Sequence, residues 1–147
     1  MKQRLILSFM VMVIVVFTTF VFSKISIYGN KMSSIKIKGS TFKTEIVESK
    51  LKKEKGLGGR KKLCMDCSML FIFPKHDRWG FWMKGMNFDL DIIWIDGNKI
   101  IKIEKNVNKE LKDKIYSELP ADKVLELNSG TADKKGIEIG DTVEFID

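Results

Sequence analysis

Apolar and polar positions change rhythm along the chain, and each rhythm predicts a different element. From Leu5 to Phe22 eighteen residues run without a charge, behind Lys2 and Arg4. As a helix rising ~1.5 Å per residue, that run spans about 27 Å, close to the ~30 Å hydrocarbon core of a bilayer. It has no polar face to show water, which predicts a membrane segment and not a surface helix. Residues 24–39 then scatter single apolar residues among Gly, Asn and Ser and read as a linker.

After the linker the period shortens. In STFKTEIVE, Phe42, Thr44 and Ile46 alternate with Lys43 and Glu45, the pattern of a half-buried strand. SMLFIF is a short apolar run that predicts a buried strand ended by Pro74, and GFWMK offers another. LDIIWIDGNKIIKIEK predicts a hairpin: two β-branched runs flank Asp96-Gly97-Asn98, and Asp-Gly supplies the positive φ of a tight turn. Its first run is apolar on both faces and should be the more central strand. In the second, Ile101 and Ile103 alternate with Lys102 and Glu104, which leaves one face wet. DKVLELNSG predicts a strand entering a turn, and IEIGDTVEFI a turn at Gly140-Asp141 followed by a strand. Helix signals are short. Ser49 can cap SKLKKEKG, with Gly56 past its end, and Thr131 can cap ADKK before Gly136. Residues 106–121 are polar, end at Pro120 and read as a surface excursion with a helical turn. Six or seven short strands with one or two short helices predict a mainly β domain, a small sandwich or barrel, over residues 40–147.

Charge sharpens the picture at the N-terminus. A cleaved secretory signal has a shorter apolar region, roughly 7–15 residues, and small residues at the cut. Val21 and Ser23 match that poorly, so residues 1–23 read first as an uncleaved anchor and second as a signal removed on secretion. Either way Lys2 and Arg4 hold the N-terminus inside and place the domain outside the cytoplasm. The formal charge of +7 is uneven. Residues 24–64 carry twelve Lys/Arg against Glu45, Glu48 and Glu54, whereas residues 65–147 carry twelve against sixteen acids. The basic excess therefore lies next to the predicted span, where it can meet anionic headgroups or simply be solvated. No helix-turn-helix, RNP or zinc-finger pattern accompanies it, so no nucleic acid is expected as partner.

Candidate chemistry is sparse. Cys64 and Cys67 form C-x-x-C, which in an exported chain points first to a disulfide. The spacing also serves thiol–disulfide exchange, with Arg60, Lys61 and Lys62 to lower a thiol pKa. Against that, a strand pattern follows the motif and no βαβ pattern surrounds it. Cys64, Cys67 and His76 offer three metal ligands, one short of a closed structural zinc site, and no cofactor is implied. His76 is the only histidine and no Gly-x-Ser-x-Gly elbow exists, which nearly excludes a nucleophilic triad. Asp89 and Asp91 lie two apart on a predicted strand and can act as a carboxylate pair, or simply bond backbone. Phe81, Trp82, Met83 and Trp94 suit a core. Yet Trp82 beside Lys84 and Asp91 also suits a shallow pocket, with Arg60, Glu126 and Asn128 as rim or support.

Several blocks together resemble a known family. GLGGR, SMLFIF, FWMKGMNFDLDIIWID, VLELNSG and IEIGDTV occur in the order of the domain of unknown function 192 family, across about residues 43 to 145. The resemblance implies a compact mainly β domain, often behind a signal or anchor, and no reaction. Departures are Gly58 for Met, Ser68 for Gly, Gly85-Met86 for Asn-Thr and Asp89 for Pro. The expectation is a non-enzymatic module for a small ligand or an envelope protein, anchored through residues 5–22. Its alternatives are an enzyme using Cys64 and Cys67 or Asp91, and a structural accessory of an envelope complex. The oligomeric state is left open.

Overall fold

The computed structural model describes Ser8, residues 10–16 and residues 30–146. The chain divides into two units, Met1–Asn30 and Lys31–Asp147. In the first, Ser8 and residues 10–16 are helical, and the side chains of 10–16 are exposed. Among the described residues no helix is long and apolar enough to cross a membrane. Most of the run 5–22, which predicts the anchor, lies outside them.

The second unit is a seven-stranded sheet with two short helices. The strands are β1 (Lys31–Ile37), β2 (Ser40–Val47), β3 (Cys67–Asp77), β4 (Leu90–Asp96), β5 (Lys99–Val107), β6 (Ala121–Asn128) and β7 (Val143–Ile146). Helix α1 (Lys50–Lys55) joins β2 to β3, and α2 (Thr131–Lys135) follows β6. The sheet order is β5-β4-β6-β3-β2-β1-β7. All pairs are antiparallel except β2 with β3. The sheet curls into a half-barrel whose edge strands meet at one end, where Lys99 bridges Thr142 and Val143 N–H donates to Asn98 O at 2.8 Å.

Curling gives the sheet two buried faces. Inside lie Ile35, Ile37, Phe42, Leu70, Ile93 and Leu125 with their neighbours. Outside, Phe71, Phe81, Met83, Ile92, Trp94 and others pack beneath α1 and the loops before β4. Strand β4 feeds both faces, with Leu90, Ile92 and Trp94 outward and Ile93 and Ile95 inward. This explains its unbroken apolar run. Trp94 is fully buried, and its indole N–H donates to Trp79 O at 2.8 Å, so the polar end of the ring is satisfied.

Several expectations need correction. Residues 31–39 are not linker: Lys31–Ile37 is β1, held between β2 and β7, with Ile35 and Ile37 fully buried. Pro74 does not end its strand. β2 stops pairing at Phe71 and the β6 ladder shifts between Ile72 and Asp77, so no backbone donor is required at Pro74. GFWMK is not a strand; it makes one bridge, Phe81 to Ile115. Residues 106–121 contain no helix. The hairpin turn is the two residues Gly97-Asn98, with Asp96 opposite Lys99 and Gly97 at φ 57°. A bulge at residues 100–102 sends Ile103 to the inner face opposite Ile93, leaves Ile101 against the outer cluster and lays Lys102 over Trp94. Strand β2, helix α1 and strand β3 do form a parallel crossover, and the C-x-x-C motif lies at its entry to β3.

Candidate functional site

The outer face of β6 carries an acid among apolar neighbours. Val124 and Glu126 share that face, and Glu126 lies between Met69 of β3 and Ile92 of β4. Only 5% of Glu126 is exposed. Its Oε2 has no hydrogen-bond partner among the described residues. Burial pushes its carboxyl up to about 8, against the pull of the Arg60 guanidinium. Arg60 is otherwise engaged: its Nη2 donates to Glu45 Oε2 at 2.7 Å and its Nη1 to Oε1. That bond, above all, raises the Arg60 pKa.

A cavity of about 30 Å³ lies over Glu126, walled by Leu57, Phe71, Phe81, Trp82, Lys84 and Met86. A water needs roughly 10–15 Å³ of such space, so one small polar group fits. Two loops form its mouth. Gly59 N–H donates to Gly85 O at 2.8 Å, and the Asn87 side chain donates to Arg60 O at 2.9 Å. Gly85 has φ 73°, a conformation that Gly and Asn both tolerate, so the exchange with the family's Asn keeps the backbone course.

Trp82 stands at the mouth, 42% exposed. Lys84 Nζ lies 5.0 Å and Lys114 Nζ 4.9 Å from its ring centroid. Two open depressions adjoin it. One, about 310 Å³, is lined by Trp82, Lys84, Lys109, Glu110, Leu111 and Lys112. The other, about 190 Å³, includes Lys53, Glu54, Phe73, Trp79, Trp82 and Lys114. Lys53 Nζ lies 4.3 Å over the Phe73 ring, and burial lowers its pKa. The crease thus combines aromatic walls, a lysine rim and a buried carboxyl.

Of the residues singled out from sequence, Trp82, Lys84 and Glu126 meet here, and Arg60 stands behind Glu126. Asp91 does not join them. It is fully buried and its oxygens accept backbone N–H groups from Asn106 at 2.8 Å, Gly130 at 3.1 Å and Ala132 at 2.8 Å. Asp89 accepts the Lys109 N–H at 2.8 Å, so the two acids serve separate loops. Asn128 donates to Cys64 O at 2.8 Å and ties β6 to the loop before β3. Cys64 and Cys67 form a disulfide, with Cα atoms 5.1 Å apart. This removes both sulfurs from the C-x-x-C-His metal alternative. His76 is also nine residues along β3 from Cys67, ~30 Å of extended chain, and its Nε2 meets Asp96 Oδ1 at 2.8 Å. Sequence reading missed Lys53 and Lys114. Lys114 comes from the 106–121 excursion, whose backbone returns to Phe81 through Ile115.

A family profile described as uncharacterized ACR, the domain of unknown function 192 family, matches residues 33–145. The chain belongs to the DUF192 family. Two solved structures share the fold. A protein of unknown function from Novosphingobium aromaticivorans DSM 12444 is 28% identical over 80% of this chain and 87% of its own, with TM-score 0.75. A Sinorhizobium meliloti 1021 protein, described provisionally as a transcription regulator, is 28% identical over 80% of this chain and 95% of its own, with TM-score 0.76. No curated protein matches the chain. DUF192 membership fixes the fold and the order of the blocks around Trp82 and Glu126, and assigns no reaction.

Proposed function

We propose that this DUF192 domain is a non-enzymatic binding module for a small ligand, with its site in the crease between Trp82 and Glu126. The observation that carries the reading is the Glu126 carboxyl, buried in an apolar wall with an oxygen left unpartnered beside a cavity. Burying a polar group without a hydrogen bond costs roughly 1–3 kcal/mol, and such a cost is tolerated where a ligand can offset it. The open Trp82 face and its lysines supply the rest of a small pocket: apolar wall and few polar groups. The uncharged run 5–22 supports placing this module in the envelope, anchored in the membrane with the domain outside the cytoplasm.

The test is a saturation-transfer NMR screen of the purified full chain. It uses free sugars, sugar acids, sugar phosphates, amino acids and nucleosides. At least one compound is expected to bind the wild type and to lose binding in both Trp82→Ala and Glu126→Leu. No binding from any class, or binding that survives both substitutions, overturns the reading.

A further inference from the structure

Resting on the binding reading above, we infer that the ligand is a small anionic sugar, a hydroxylated ring bearing a carboxylate or a phosphate. Three parts of the crease each ask for one part of that molecule. The first is the pair of ammonium groups over Trp82. Lys84 and Lys114 both stand within 5.0 Å of one ring centroid, and neither meets a carboxylate among the described residues. Lys84 lines one of the two depressions beside Trp82 and Lys114 the other, so each offers an ammonium to an anion seated against the ring. Lys53, Lys109 and Lys112 line the same two depressions, against Glu54 and Glu110, so the rim favours negative charge.

The second part is the wall. Trp82 presents an exposed apolar ring at the mouth, with Phe81 and Met86 lining the cavity, and the ring suits the C–H face of a sugar. The third is the floor. A cavity of about 30 Å³ admits a group the size of a hydroxyl, and a carboxyl there can accept from it and, when protonated, donate to it. A free inorganic anion would leave the wall and floor unused, and a neutral sugar would leave the lysines unpaired. Other clusters carry less. His76, Asp96 and Asp122 have ligand atoms within 4.8 Å of one another, but Asp122 already holds Lys123 Nζ at 2.5 Å and the Gly97 N–H at 3.0 Å.

The test titrates the purified full chain with glucuronate, glucose 6-phosphate and glucose. Readouts are tryptophan fluorescence and calorimetry, on the wild type and on the Lys84→Gln/Lys114→Gln double variant. Both lysines are exposed, so the double variant is expected to fold. The expected result is that one or both anions bind at least about tenfold more tightly than glucose, and that the double variant abolishes that preference. Preference for glucuronate assigns a carboxylate, and preference for glucose 6-phosphate a phosphate. Equal binding of glucose and the anions, or an anion preference that survives the double variant, overturns the inference and leaves the binding module standing. Binding of none of the three also overturns the inference, while the wider screen above decides separately whether the module itself survives.

Discussion

Asp91 and Glu126 sit on adjacent strands, and both are buried, yet the fold treats them oppositely. Asp91 points into the half-barrel beside α2. Its carboxylate closes three backbone N–H groups, among them that of Asn106, a non-glycine residue at φ 55° where the β5 register shifts a second time, between Glu104 and Val107. Glu126 points outward under the Trp82 crease, with an unpartnered oxygen and a pKa pushed up to about 8. A buried acid that is fully bonded reads as architecture, because every lone pair used has a structural purpose. A buried acid left partly unbonded carries a cost in the free protein, and that cost marks a place where something else can bind.

The sharpest way to break the contrast is Asp91→Ala, which strips the acceptor from three backbone donors. A loss of ~3–5 kcal/mol of stability is expected in urea unfolding. A loss under ~1 kcal/mol would show that Asp91 is not architecture.

The next effect lies in pH. The folded pKa of Glu126, about 8, stands above its unfolded value, so in the window between them the folded state holds the extra proton. Its contribution to stability is therefore full below the unfolded pKa, declines by up to about 1.4 kcal/mol per pH unit through the window and levels off above the folded pKa. Glu126→Gln should remove that decline, read as the difference between wild-type and variant unfolding curves from pH 5 to pH 9. Parallel curves would contradict it.

Reducing the Cys64–Cys67 disulfide, or replacing both cysteines by Ser, tests the support behind the site. The loop it closes is short, so about 1–2 kcal/mol of stability should be lost. The fold should remain, as read by circular dichroism. Loss of the fold would make the disulfide a foundation of the domain.

The smallest effect belongs to Arg60→Met. The Arg60–Glu45 pair is partly exposed, so its loss should cost about 1 kcal/mol or less. The same change should move the Glu126 titration upward, since Arg60 is what draws it down. A downward shift would place the two groups in some other relation.

Much of this was readable from the chain. The β4–β5 hairpin, the two short helices and the β6 strand follow from period, β-branching and Gly placement. The alternation in VLELN also put Glu126 and Asn128 on one face. Strand β1 was missed because its apolar signal is two residues, Ile35 and Ile37, and its partners lie on either side in β2 and far off in β7. The strand through Pro74 was missed because tolerance of a proline depends on where β2 stops pairing. Asp91 and Glu126 could not be told apart in sequence, since each is a single acid in an apolar strand. Their difference depends on which backbone N–H groups α2 and the β5 irregularity at Asn106 bring to one of them. The cavity depends on two loops, 56–60 and 83–87, closing on each other.

The most direct test of the central claim is an NMR titration of the Glu126 side-chain carboxyl carbon in the free protein. A midpoint near 8 is predicted, and it should move when a ligand from the screen is seated. A midpoint in the usual glutamate range, near ~4, would mean that the carboxyl is solvated or bonded, and the crease would lose its distinguishing feature.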